Sequence, residues 1–308
     1  MTEKKNREIK KAKKALKNNK FQKAIEAIQL LFLFVLKHCF FCGVCYNWLM
    51  KICNLSSGSD GNLTYIESGS AKLLVDIGLS CKETETRLKL LGVEPCQIDA
   101  ILITHEHNDH IKGLEVFAKK YKTAVFVHEM GYIPLLNKLR CNLNIQIFND
   151  FNFEIKDITV STVPLPHDVK RCTGYSFKEN ENKFSIITDL GHTNPEILQN
   201  LAGSSLVFLE ANHDKQMLME NPNYPVALKH RILGMKGHLS NQDCAEAIAT
   251  LAQTGCKQIV LSHLSTENNS PEFAYEYITN YLKQCGIIEG KNIRIDVATT
   301  VPRAIFKL

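Results

Sequence analysis

The sequence predicts an α/β fold, and three features carry the prediction. Short apolar runs rich in Ile, Leu and Val recur from residue 50 onward and alternate with helix-forming stretches. Several of these runs stop on an aspartate or a histidine, where an ordinary turn residue would serve as well. A chain of 308 residues can also bury one large core or two smaller ones.

The first 49 residues stand apart from this pattern. Residues 1–29 hold ten Lys/Arg against three acidic residues, and residues 30–49 carry a single charge, Lys37. Lys4–Lys23 reads as a solvated lysine-rich segment. Leu30–Leu36 and Cys39–Met50 are apolar, but a membrane span over residues 29–50 would bury Lys37 near its centre, at about 2.5–3.5 kcal/mol. Cys39, Cys42 and Cys45 lack a fourth ligand at a suitable spacing for a metal site. The expectation is an N-terminal extension over 1–49, outside the fold, and a folded domain over 50–308 that starts naturally at Met50. Anchoring through residues 29–50 is the lesser alternative.

From Met50 onward 26 basic residues face 29 acidic ones, a net of −3. Any contact with nucleic acid must therefore use a local patch. Eight cysteines lie singly through this body, which is the pattern of small apolar fillers in a reducing compartment; cytoplasm is the expectation.

Taken in order, the body starts with a strand over Lys51–Leu55 and a small-residue turn over Ser56–Asn62. A hairpin follows, Leu63–Glu67 and Lys72–Val75, through Ser68-Gly69-Ser70. Asp76 closes an apolar run, and a carboxylate there needs partners; bracing a neighbouring site is one use for it. Lys82–Leu91 predicts a helix stopped by Gly92. A strand over Ile101–Thr104 leads into His105-Glu-His107-Asn-Asp109-His110. Helices are then expected over Ile111–Tyr121 and Met130–Leu139, with a strand over Ala124–His128 between them and several strands between Ile145 and Pro164.

The segment from His105 to His110 carries the chemistry. Positions i and i+2 of an extended chain point to one side, so His105 and His107 can converge on one point. Asp109 and His110 follow and can face a second point as the chain turns. Without a cation, these side chains would crowd polar groups against a strand end. Three later strand ends supply what the cluster lacks: His167 a third nitrogen, Asp189 a carboxylate able to bridge two cations, and His263 a further imidazole. Nitrogen and oxygen donors without cysteine admit Zn²⁺ and Mn²⁺ alike.

The order H-x-H-x-D-H, His, Asp, His over residues 50–308 resembles the metallo-β-lactamase fold, an αββα sandwich. Met50–Asn62, Glu210–Asp214, Tyr224–Leu233, Gly237–Asn241 and His263–Asn269 resemble one subgroup, the YycJ/WalJ-like hydrolases. The resemblance implies a catalytic domain over 50–308. It also implies a first ion held by His105, His107 and His167, and a second held by Asp109, His110 and His263, with Asp189 bridging. It implies a 5′-to-3′ DNA exonuclease with two divalent ions, manganese mildly ahead of zinc, and a bridging hydroxide as nucleophile. Asp109 would take a proton from that water, and His238, in Gly237-His-Leu-Ser, would protonate the leaving group. His213 is expected at the site rim beside Asp214, and Lys229, His230 and Arg231 in a patch for phosphates, with Arg231 contacting substrate. His128 and His192 are read as structural.

The implied partner is nucleic acid, DNA ahead of RNA. An RNA-processing nuclease, a small-molecule phosphodiesterase and a non-catalytic regulatory binding protein are the competing readings. The short stretch between Asp189 and His263 leaves no room for a large RNA-binding insertion, and the complete ligand set speaks against a relic.

Overall fold

The computed structural model describes residues 50–149, 151–300 and 305–308. The expectations for residues 1–49, the extension, its apolar stretch and its three cysteines, lie outside the described residues. Among those described, no helix is long and apolar enough to cross a membrane. The eight body cysteines are all free thiols.

Two seven-stranded mixed sheets form the frame. The first contains β1 (Lys51–Ser56), β2 (Leu63–Glu67), β3 (Lys72–Val75), β4 (Ala100–Leu102), β5 (Ala124–His128) and β6 (Ile145–Phe148) in that order. The second runs, from its other edge, β7 (Asn152–Ile155), β8 (Ile158–Leu165), β9 (Cys172–Glu179), β10 (Asn182–Ile187), β11 (Leu206–Glu210), β12 (Gln258–Ser262) and β13 (Arg294–Val297). The last strand, β14 (Ile305–Lys307), returns to pair antiparallel with β1. Helices are α1 (Cys81–Leu90), α2 (Asn108–Ile111), α3 (Leu114–Tyr121), α4 (Glu129–Leu136), α5 (Pro195–Leu201), α6 (Lys215–Glu220), α7 (Val226–Leu233), α8 (Asn241–Gln253) and α9 (Pro271–Gln284).

Strand periodicity explains the layering. In β11, Leu206 and Phe208 point to one face and Val207 and Leu209 to the other. The first pair joins a buried cluster between the sheets, with Ile52, Leu73, Val75 and Leu102 of one sheet and Tyr175, Phe177 and Phe184 of the other. The second pair packs outward with Ile259 and Leu261 against Ile197, Ile248, Leu251 and Ile278 of α5, α8 and α9. Each fully buried side chain of this size contributes about 1.5–3 kcal/mol, so the two clusters dominate stability. Helix starts follow their sequence signals. Asn194, Asp214, Ser240 and Ser270 each accept a bond from a first-turn N–H of the helix they precede.

The topology gathers strand ends. β3, β4 and β5 are parallel, so their C-termini share one edge. In the second sheet β10, β11 and β12 are parallel, and β8 runs the same way because β9 is antiparallel to both β8 and β10. The sheets are laced together at this edge, where Thr173 N–H donates to the Thr104 carbonyl at 3.0 Å and the Tyr175 hydroxyl donates to the Ile103 carbonyl at 2.7 Å.

Two predicted helices differ in extent. The one expected over Ile111–Tyr121 is broken at Lys112–Gly113, because Gly113 N–H leaves the helix ladder to donate to the Ile77 carbonyl. A side chain at Gly113 would stand 2.2 Å from the Leu79 carbonyl oxygen. The helix expected over Met130–Leu139 begins at Glu129, where His128 Nδ1 accepts from Met130 N–H, and ends at Leu136.

Gly78 belongs to the same close approach. A Cβ there would lie 1.7 Å from the Asp109 carbonyl oxygen and 2.4 Å from Asn62 N. Gly78→Ala is therefore expected to destabilise the protein by about 3 kcal/mol, read as a lower urea midpoint at unchanged slope. An unaltered midpoint would show that the loop yields freely.

Candidate metal centre

The gathered strand ends bring the predicted donors together. His105, His107 and His167 form one group able to hold an ion, Asp109, His110 and His263 a second, and His105, His110 and Asp189 a third; within each, the donor atoms lie within 4.8 Å of one another. Asp189 links the two trios by grouping with His105 of the first and His110 of the second; its Oδ2 lies 3.3 Å from His110 Nε2 and its Oδ1 3.5 Å from His263 Nδ1.

Backbone geometry aims these groups. Asp76, Asp189 and His263 follow β3, β10 and β12 with φ of +59°, +67° and +56°. The left-handed conformation costs a non-glycine residue of order 1–3 kcal/mol and turns the chain sharply at the sheet edge. The segment Asp109–Gly113 is pinned from below: Asn62 N–H donates to the Asp109 carbonyl, and Ile77 N–H to the His110 carbonyl, both at 2.8 Å.

Four of the five imidazoles, all but His107, are held through Nδ1. His110 Nδ1 lies 2.7 Å from Asp76 Oδ2, and Asp76 also accepts from Thr104 N–H at 2.9 Å. His167 Nδ1 is 3.1 Å from the Gly237 carbonyl, and His105 Nδ1 is 3.0 Å from the Thr104 hydroxyl. His263 Nδ1 is 2.7 Å from Glu210 Oε1. Such contacts orient a ligand ring and leave its Nε2 lone pair for a cation.

Glu210 is the residue of this site that the sequence reading does not single out. It ends β11 fully buried, and the same Oε1 that meets His263 stands 2.8 Å from His238 Nδ1. Its Oε2 accepts from Leu190 and Leu239 N–H, both at 3.0 Å. An apolar strand ending in a carboxylate is the signal available, the one that marks Asp76 and Asp189.

Buried atoms without partners test whether this cluster fits a cation. Among the described residues His105 Nε2, Asp189 Oδ2 and His263 Nε2 are buried and make no hydrogen bond. A dry unpaired polar atom costs about 1–3 kcal/mol, and three around one cluster of oxygens and nitrogens fit divalent ions.

The other predicted residues are placed differently. His238 lies beside the cluster with its side chain 22 % exposed. His213 is away from the donor groups, almost wholly buried, with both ring nitrogens unpartnered, and Asp214 caps α6. Arg231 is exposed on α7 and ion-paired with Asp168. The expected basic patch is broken: Lys229 turns inward and its Nζ donates to the Met219 carbonyl at 2.6 Å. The helix period puts it on the packed face.

Charge in the ion-free cluster follows from these contacts. Burial lowers His105 and His107 below the usual imidazole range. Burial also disfavours charge on His110 and His263, but the facing carboxylates win and raise both well above it. Asp109 would be raised by burial, yet His110 and His263 hold it far below the usual carboxylate range. Cation binding must displace the protons on His110 and His263. Affinity is therefore expected to rise with pH up to the folded pKa of each, by up to about tenfold per pH unit for each proton displaced. Zinc titration calorimetry in buffers of differing ionisation enthalpy measures this; a pH-independent affinity with no proton release would contradict it.

Residues 72–264 match the β-lactamase superfamily domain. Exodeoxyribonuclease YycJ of Bacillus anthracis is 36% identical over 247 residues, spanning 78% of this chain and 92% of that protein. Exodeoxyribonuclease WalJ of Streptococcus pneumoniae is 35% identical over 247 residues, spanning 78% and 91%. The crystal structure of the metallo-β-lactamase-fold protein YhfI from Bacillus subtilis superposes with a TM-score of 0.62 at 14% identity, covering 85% of this chain and 100% of YhfI. With the sandwich and the donor cluster already in place, these likenesses put the chain in the β-lactamase superfamily, among the YycJ/WalJ-like hydrolases of the metallo-β-lactamase fold.

Proposed function

We propose that this metal-dependent phosphodiester hydrolase is a dinuclear exonuclease acting 5′ to 3′ on duplex DNA. One observation carries the reading: two trios of donors, His105/His107/His167 and Asp109/His110/His263, are linked by Asp189, which groups with His105 of the first and His110 of the second. When bound, two divalent ions, manganese or zinc, would neutralise the attacking and leaving oxygens of a phosphodiester and acidify a water between them. The likeness to two exodeoxyribonucleases supports DNA as substrate.

The chain's own groups supply the proton transfers. Asp109 stays unprotonated and can accept the proton of the attacking water. His238 would be lowered by burial, but Glu210 beside it raises it above the usual imidazole range, which favours the protonated ring that a proton donor to the leaving oxygen requires. A cavity of about 150 Å³ lies over this region, lined by His167, Asp168, Tyr224, Arg231 and His238. It suits a phosphate group, and Arg231 can turn from Asp168 to meet one.

The full chain, loaded with Mn²⁺ or with Zn²⁺, should be given end-labelled duplex DNA, structured RNA and a small phosphodiester. Stepwise loss of nucleotides from the 5′ end of the duplex is the expected result. Preference for RNA or for the small ester would replace the DNA reading, and a metal-loaded protein inert on all three would favour a binding role.

A further inference from the structure

A second cavity, of about 460 Å³, also has His238 in its wall. Its walls include Leu198, His213, Lys215, Met235, Asp243 and Glu246, and His238 is the residue it shares with the smaller cavity over the donor cluster. Its volume falls in the range of small-molecule sites, about 300–1,000 Å³. Nothing in the reaction described above uses it.

Its chemistry is that of a neutral, flat, polar-edged ligand. Lys215 is already paired with Asp243 at 3.1 Å, and Glu246 adds a further negative charge, so a phosphate would be repelled. Met235 and Leu198 offer soft apolar surface for the face of a ring. His213 is 1 % exposed and neither of its nitrogens meets a partner among the described residues. Burial lowers its pKa to about 4, so at neutral pH the ring is uncharged and carries one donor and one acceptor, both buried and unpartnered in the chamber wall. That pairing matches the hydrogen-bonding edge of a nucleobase.

We propose that this chamber is the subsite for the terminal nucleoside, with His213 reading the base while the scissile phosphate stays over the donor cluster. The proposal rests on the nuclease reading above and deepens it. His238 then sits between phosphate and departing nucleoside, where a proton donor to the leaving oxygen is needed.

Two measurements on the full chain test it. The first uses duplexes whose 5′-terminal residue is intact or abasic. Wild type is expected to show a KM roughly tenfold higher for the abasic end, the scale on which a missing contact is discriminated. In Thr250→Trp, which fills the chamber from the exposed side of α8, that ratio should fall towards one. The second follows binding of a deoxynucleoside monophosphate, against deoxyribose 5-phosphate, by saturation-transfer NMR without metal. Base protons should receive saturation in wild type, with binding weakened about tenfold in His213→Phe, which keeps the ring but removes both nitrogens. Equal KM for the two ends, or a ratio unchanged in Thr250→Trp, would overturn the chamber while leaving the nuclease reading intact. A wild type that cleaves no nucleic acid would strike the nuclease reading instead, and the binding measurement alone would then decide the chamber.

Discussion

Asp109→Ala is expected to lower phosphodiester cleavage by at least about 10³-fold while leaving the protein folded. The carboxylate belongs to the trio with His110 and His263, and its Oδ2 lies 3.4 Å from His110 Nε2 and 3.6 Å from His263 Nε2. Removing it takes away a donor to one proposed ion and the base proposed for water. The fold should tolerate the change, because the backbone bond that anchors this loop runs from Asn62 to the Asp109 carbonyl and survives any side chain. Elemental analysis of the purified variant should show about one fewer metal ion per chain than wild type. The ion-free variant should still unfold in one cooperative transition, since the apolar clusters that dominate stability do not include this side chain. Full activity with full metal content would remove Asp109 from the chemistry.

The part of this site within reach of one strand was legible in the sequence. His105 to His110 share one strand end, where period-two geometry and a turn suffice to predict convergence. His167, Asp189 and His263 needed a further inference, that similar strand ends share one edge, and the parallel order of β10, β11 and β12 supplies that edge. Glu210 carried the same local signal as Asp189. Its contacts, however, are with imidazoles 28 and 53 residues further along the chain, and no local pattern announces such a pairing. Lys229 shows the opposite failure. A run of three basic residues reads as a patch, but the helical turn between Lys229 and Arg231 sends one into the protein and the other to solvent. The break at Gly113 was hidden for a similar reason, since the carbonyl that captures its N–H belongs to Ile77.

Glu210→Gln separates charge from shape at the point where the two imidazoles meet. Both oxygens of Glu210 act as acceptors: Oε1 faces His238 Nδ1 and His263 Nδ1, and Oε2 faces the N–H groups of Leu190 and Leu239. Glutamine has one acceptor oxygen and cannot serve both sides. If its oxygen faces the backbone, its amide N–H groups point at the imidazoles and force their protons onto Nε2, which closes the His263 lone pair to a cation. If its oxygen faces the imidazoles, two buried backbone N–H groups meet an NH₂. Either way activity should fall by about 10–100-fold, the usual scale for losing a group that orients a metal ligand. The pH profile carries the sharper test. Burial lowers His238, and Glu210 is the neighbour that chiefly raises it, so in the Glu210→Gln variant the proton is lost at lower pH. The alkaline limb of kcat/KM, set by loss of the general acid's proton, should therefore move to lower pH in the variant. A uniform drop with the limb unmoved would mean that Glu210 only shapes the site, and that the leaving-group proton comes from another group.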